Sequence, residues 1–291
     1  MKNLFRSLVA LSITLASCQE EKTLIAPIED AKVSASNLRE GIVATMPKHY
    51  QLIKHGNTKL AYLDDGRLQK VTYIASQRGN SGVYAQYKYG INSIVSTLYY
   101  NNAVAEVSTY LLDNKGRCYE SKQVELIPYG PNQTLEKISE FTYQYNVKGQ
   151  LLTRTNKKYI NEKTTFVWNA GGDLTKLTGY NFNNGRGYEG FQSESNLYYD
   201  QPTGDPILTD LSPINCEAAN LPDPYLMVFG KSSKNLVKLI TDNSNLGGKY
   251  FNYIINADGH VTKRDQYDMS GGALTESKVY EYLVTDLGFN L

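Results

Sequence analysis

Few groups in this chain stand at spacings that support chemistry. The three histidines, His49, His55 and His260, fall at no interval that places two ligands side by side, so no metal site is expected. His260 follows a turn glycine and is expected at the surface. Asp113-Asn114-Lys115-Gly116 and Asn256-Ala257-Asp258-Gly259 are rich in oxygen, yet lack the alternating ligands and terminal Glu of a calcium loop. Gly185-Arg186-Gly187-Tyr188-Glu189-Gly190 fits the GxGxxG pattern, but a dinucleotide site needs a strand before it and a helix after it. Here Asn181 to Asn184 precede it and Phe191 to Ser195 follow, which reads as a glycine-rich hairpin loop. Gly230-Lys231-Ser232 ends like a phosphate loop, but Tyr225 stands where the first glycine is required. No cofactor is expected. Glu136, Glu140, Glu189 and Glu194 would serve glycosidic hydrolysis only if a fold set two of them roughly 5–10 Å apart. With no Ser nucleophile elbow and no Cys-His motif, they read as solvated strand faces, and no catalytic residue is assigned.

A different chemistry is written at the N-terminus. Lys2 and Arg6 form a positive start and Leu8 to Leu15 an apolar stretch, shorter than the about 20 residues that span a bilayer. Leu15-Ala16-Ser17-Cys18 resembles the lipobox of bacterial lipoproteins. That resemblance implies a signal peptide over 1–17, cleavage before Cys18, a diacylglycerol on its thiol and an acyl chain such as palmitate on its new amine. Residues 18–48 then form a tether to a membrane, held at about 0.8 kcal/mol per buried CH₂. Gln19-Glu20-Glu21 follows with no Asp after the Cys, and its acidic pair resembles the surface-export signal of Bacteroidota lipoproteins. The expected location is the outer membrane, on the cell surface.

The elements that would position any site are strands. In 291 residues, 24 Tyr stand against 8 Phe and 1 Trp. From Tyr50 onward, runs such as Phe141-Thr142-Tyr143-Gln144-Tyr145 alternate aromatic and polar residues with period 2, the mark of half-buried strands. Their ends repeat one turn. Tyr143 to Leu151, Phe166 to Leu174, Tyr253 to Val261 and Tyr110 to Cys118 each carry Asn or Asp, a Gly three residues on, then an apolar residue. Leu63 to Leu68 reads as a fifth copy, one residue shorter. The Asx side chain bonds backbone two residues on, and Gly supplies the positive φ that closes a short hairpin. The copies fall at uneven intervals from Gly66 to Gly259, which argues against a fixed-period solenoid or propeller.

These features predict one all-β domain over 49–291, an antiparallel meander curled into a soluble porin-like barrel or partial barrel. Thr155 to Lys163 puts charges or amides on both strand faces, unlike a wall that meets lipid. Pro202, Pro206, Pro213, Pro222 and Pro224 mark an insertion near 200–226 that is not central strand, in which Asn215 to Asn220 suits a single helical turn. Cys118 occupies the apolar position of its turn and is expected as a core thiol, against the alternative of a disulfide to Cys216. The mean hydropathy of −0.43 excludes a polytopic helical membrane protein. The formal charge of +1 gives no basic surface for nucleic acid.

With the lipobox, the Tyr-rich hairpins, the run Gly230 to Leu236 and the aromatic last strand, the chain resembles Bacteroidota lipoproteins that carry a porin-like domain of unknown function. The turns also resemble the YD repeats of large secreted shell proteins, which keep a tighter period. The resemblance implies a fold and a location, and no activity. The function expected is non-catalytic binding of a ligand or partner, a glycan or a protein, through Tyr-lined faces and the Pro-rich insertion. The alternatives are an envelope hydrolase acting on a glycan, and a structural or assembly lipoprotein. Detergent phase partitioning tests the anchor: the full-length chain should enter the detergent phase and carry labelled palmitate, and Cys18→Ala should be aqueous and unlabelled. Equal partitioning of the two would remove the lipid from the account.

Overall fold

The computed structural model describes residues 48–74, 82–129, 133–181, 191–200, 206–212, 214, 221–242 and 247–286. Every regular element among them is a strand. The first eight are β1 (Lys48–His55), β2 (Thr58–Tyr62), β3 (Leu68–Tyr73), β4 (Val83–Tyr89), β5 (Ser93–Tyr100), β6 (Ala103–Leu112), β7 (Cys118–Pro128) and β8 (Thr134–Tyr145). The others are β9 (Leu151–Asn156), β10 (Lys163–Trp168), β11 (Leu174–Asn181), β12 (Phe191–Tyr198), β13 (Leu239–Asp242), β14 (Gly248–Ile255), β15 (Val261–Asp268) and β16 (Leu274–Asp286). Each pairs with its sequence neighbours, and β16 pairs antiparallel with β1, from Lys48↔Asp286 to His55↔Tyr280. The meander is therefore a closed 16-strand barrel rather than a partial one.

All five repeated turns lie at one end of the barrel and share one geometry. The amide of Asn146 donates to the Gln150 carbonyl and that of Gly149 to the Asn146 carbonyl, while Asn146 Oδ1 accepts from the Gln150 amide. Asp113, Asn169 and Asn256 do the same in their own turns. The glycines at 66, 116, 149, 172 and 259 all have φ between 72° and 101°, the left-handed region that favours them. The turn at Leu63 is not shorter. Leu63 takes the Asx position, with its amide on the Arg67 carbonyl and its own carbonyl accepting from Gly66. It keeps the backbone pattern, and Asp65 Oδ1 instead accepts from the Arg67 amide at 3.0 Å.

After each turn the next strand carries a β-bulge, so Tyr62 pairs with Leu68 but Ala61 with Lys70, and Tyr145 with Leu151 but Gln144 with Thr153. The carbonyl just before each bulge receives a hydrogen bond from an aromatic side chain on, or one residue past, the following strand as it returns. Tyr89 donates to Leu68 at 2.7 Å, Tyr145 to Cys118 at 2.6 Å and Trp168 Nε1 to Leu151 at 2.7 Å. Tyr199 donates to Leu174 at 2.8 Å, and Tyr282 to Val261 at 2.9 Å. The tyrosine surplus thus has a structural use: apolar rings fill the interior while their hydroxyls satisfy buried carbonyls.

Side chains alternate across the wall. Val71, Ala85, Ile94, Tyr110, Cys118, Phe141, Phe166 and Phe251 point inward and are buried. Cys118 is a free thiol with no exposure, bonded to the Glu120 carbonyl, and burial pushes it up to about 12, which leaves it unreactive. Outward positions carry mid-strand charges in pairs: Lys54 with Glu281, Lys176 with Glu194 at 2.5 Å, and Lys263 with Asp265 at 2.8 Å. These charges share the outer face with exposed apolar residues such as Ile138, Val167, Ile254 and Val279.

The Pro-rich insertion joins β12 to β13 at the turn end and works as a strap across it. Pro206, Pro222 and Pro224 lie outside the strands; Pro202, Pro213, Cys216 and the expected turn at Asn215 to Asn220 fall outside the described residues. Leu226, Phe229 and Leu236 plug the barrel floor. The Val228 carbonyl accepts from the Cys118 amide at 2.7 Å and the Lys231 amide donates to Gly149 at 2.9 Å. Ser233 Oγ accepts from the Leu174 amide, and Asn235 donates to Asp173 through its amide and its side chain. The run Gly230 to Leu236 is thus a lacing segment. A Cβ at Gly230 (φ 88°) would sit 2.6 Å from the Gly149 carbonyl oxygen and 2.9 Å from the Tyr145 ring, whereas one at Gly66 (φ 82°) meets nothing within 4 Å. Gly66→Ala should cost roughly 1–2 kcal/mol for the backbone conformation alone, and Gly230→Ala clearly more. Calorimetry should rank them in that order; equal losses would mean that the strap does not press on the barrel floor.

Candidate functional site

Where the strap passes beneath β1 to β4, it leaves a cleft of about 480 Å³. Tyr50 of β1, Tyr62 of β2, Tyr89 of β4, Arg67 of the β2–β3 turn, and Tyr225 and Met227 of the strap line it. Two of these tyrosines are fixed by the carbonyl pattern above, since Tyr62 donates to Leu52 at 2.6 Å and Tyr89 to Leu68 at 2.7 Å. Burial holds both phenols at about 12, so they present neutral faces. Arg67 lies over the Tyr89 ring at 4.5 Å and is oriented by Asp65, whose Oδ2 accepts from Nε at 2.7 Å.

Tyr50 and Ser212, which line the cleft, belong to a small polar cluster. Tyr50 stacks on His260, with ring centroids 3.8 Å apart and planes at 21°, and gives its hydroxyl to Asp258. Lys48 Nζ reaches the same carboxylate oxygen at 3.2 Å. These bonds from Tyr50 and Lys48 lower the Asp258 pKa. Ser212 Oγ of the strap lies 2.9 Å from His260 Nδ1. His260 is therefore half-buried beneath Tyr50, not at the surface as its place after a glycine suggested. Burial lowers its pKa against the opposing pull of Asp258, favouring neutral imidazole. The Ser212–His260 contact latches the strap to the β14–β15 turn, across 48 residues of sequence that show no motif.

The strap's other anchor lies deeper. Asp223 is buried, and it accepts from the Tyr87 hydroxyl at 2.8 Å and from the amides of Tyr225 and Leu226 at 2.9 and 3.2 Å. Next to it, the Tyr225 hydroxyl and His55 Nδ1 are 3.1 Å apart, with the imidazole tilted on Tyr280 at 4.7 Å. Burial, with Lys278 and Arg264 nearby, lowers His55 to about 3, so it stays neutral.

The remaining sequence candidates are not gathered here. His49 lines the cleft, His55 lies inside the barrel and His260 flanks the turn; no group of three metal-binding side chains occurs among the described residues. Glu136 and Glu140 lie on β8, whereas Glu194 is on β12 in its pair with Lys176. Glu189 and the GxGxxG segment lie outside the described residues, but β11 and β12 pair antiparallel from Asn181↔Phe191, so that segment joins a hairpin and not a βαβ unit. Cys18 also lies outside them.

Neither protein-family models nor curated proteins match the chain. Among solved structures it is similar to two porin-like proteins. That of Bacteroides uniformis ATCC 8492 is 16% identical with a TM-score of 0.53, over 82% of this chain and 95% of that one. That of Bacteroides vulgatus ATCC 8482 is 14% identical with a TM-score of 0.56, over 81% and 99%. The likeness establishes the architecture: this is a barrel of porin-like fold.

Asp223 gives the site a pH signature. Burial, with Glu106 adding to it, raises its carboxyl to about 6 against the three hydrogen bonds that favour the anion. The folded state thus holds this proton more tightly than the unfolded chain. Its contribution is complete below about pH 4 and is lost as pH rises through about 6, to the order of 2–3 kcal/mol. The Tm difference between wild type and Asp223→Asn should fall across that window. A difference independent of pH would place the carboxyl in a wetter setting.

Proposed function

We propose that the protein is an outer-membrane lipoprotein, anchored through Cys18 on the cell surface, whose barrel binds a glycan or similarly hydroxylated ligand in the strap cleft without transforming it. The carrying observation is the concave surface of about 480 Å³ with Tyr50, Tyr62, Tyr89 and Tyr225 on its walls. Flat apolar faces beside Arg67, Gln51 and Ser212 suit a sugar ring, which offers C–H faces to stack and hydroxyls to bond. The lipobox and the acidic residues after Cys18 support the location. Paired outer charges support a barrel held at the membrane by its tether. Glu136 and Glu140 stand on β8 and Glu194 on β12, where it pairs with Lys176.

A thermal-shift screen of the full-length chain against glycans tests this. A ligand at 100 times its Kd adds about 2.7 kcal/mol, or roughly 5–10 °C for a domain of this size. The shift should shrink in Tyr50→Ala and Arg67→Ala. A shift that survives both changes would move the site elsewhere, and a flat screen would favour a protein partner or a structural role.

A further inference from the structure

At the end of the barrel opposite the repeated turns, one hairpin outruns its neighbours. β7 and β8 stay paired out to Pro128↔Thr134. β6 follows β7 only as far as Glu106↔Glu125, and β9 meets β8 only from Phe141↔Asn156 onward. Residues 126–128 and 134–139 therefore form a two-stranded ribbon beyond the wall. Ile127 and Leu135 are a cross-strand pair on one face of it and Ile138 stands on the other, and all three are exposed.

The two borders of this ribbon are unlike. In an antiparallel pair, alternate residues bond the partner strand and the rest turn their backbone groups the other way. The Tyr129 amide donates to the Gln133 carbonyl at 2.7 Å, which sets the phase: Leu135, Lys137 and Ser139 bond β7, while Thr134, Glu136, Ile138 and Glu140 face away. The Glu140 carbonyl accepts from the Lys157 amide at 2.8 Å. Among the described residues, no strand continues that row along Ile138, Glu136 and Thr134. The β7 border ends in Pro128, which has no amide to offer and so blunts that edge. The β8 border has no proline. Its charges say what would pair there. Glu125 holds Lys137 at 3.1 Å, but Glu136 makes no ion pair among the described residues. A second copy of the chain is a poor partner: a two-fold axis through the middle of this border sets Glu136 against Glu136 or Lys137 against Lys137, and like charges directly opposed are destabilising. A foreign strand meets no such conflict when it brings a cation to Glu136.

We propose that the free border of β8 takes up an extended segment of another protein, which adds to the ribbon as an antiparallel strand with apolar residues beside Leu135 and Ile138 and a Lys or Arg opposite Glu136. The site lies at the other end of the barrel from the strap cleft, and it stands whether or not that cleft binds a glycan. The probe is a labelled peptide, Thr-Val-Thr-Lys-Val-Thr, which sets Val opposite Ile138, Lys opposite Glu136 and Val opposite Leu135. Its fluorescence anisotropy, titrated with the full-length chain, should saturate, and the same peptide with Glu in place of Lys should bind about five-fold more weakly. Glu136→Lys, at an exposed position, should reverse that preference. Ile138→Pro removes an outward amide without touching the ladder to β7, so it should lose about ten-fold in affinity with the strand signal in circular dichroism unchanged. No binding of the Lys peptide to the wild type, equal binding of the two peptides, or undiminished affinity in Ile138→Pro would each overturn the proposal. A dimer lost in Ile138→Pro, with no peptide bound, would overturn it in favour of a second copy.

Discussion

A bulge removes one residue from the ladder, and inside a barrel the polar group left beside it has no water to turn to. That constraint recurs at the repeated turns of this fold. An unmet buried carbonyl costs about 1–3 kcal/mol, and the chain meets it with a side chain long enough to cross from the next strand and apolar enough to be buried on the way. Tyrosine has both properties and phenylalanine lacks the second group. This accounts for part of the excess of 24 Tyr over 8 Phe. Tyr89, Tyr145, Tyr199 and Tyr282 each fill the floor and close a bond with the same side chain. The cleft inherits one tyrosine face from this scheme, Tyr89 at the Gly66 turn, and Tyr62 meets the Leu52 carbonyl beside the irregularity in β1.

The strap depends on the same turns. Its amides and carbonyls meet the backbone just inside them, as Val228 meets Cys118 and Lys231 meets Gly149. The barrel end is thereby sealed by a segment with little regular structure of its own. Among the described residues, the isolated bridge of Thr209 with Asn235 pairs it with itself. Asp223 and Ser212 tie it at two further points. The cleft lies where this lacing leaves the wall of β1 to β4 uncovered.

What could be read from the sequence was local. Period-2 alternation located the strands, and the Asx-x-x-Gly pattern located the turns, because both are set by residues within a few positions of one another. Cys118 was legible as core from its place in the turn. The Leu63 turn was misread because its backbone pattern survives without the Asx side chain that marks the others. His260 was misplaced because the residue that covers it, Tyr50, lies at the far end of the chain. Closure between β1 and β16 and the Asp223–Tyr87 bond are non-local, and no periodicity encodes them. The role of Gly230 was hidden in the same way: the run it opens invites comparison with a phosphate loop, and only the carbonyl of Gly149 explains the glycine.

The pairing of β1 with β16 also sets an order of events. Every other strand pairs with its neighbours in sequence, β12 with β13 across the strap, but the seam joins residues more than two hundred positions apart. Until the last strand arrives, β1 and β15 are bare edges, each a template for pairing with another chain. The seam must therefore form late, and any loss of β16 would leave not a smaller barrel but an open sheet with two adhesive borders. For this fold, completeness of the chain is itself the safeguard against aggregation.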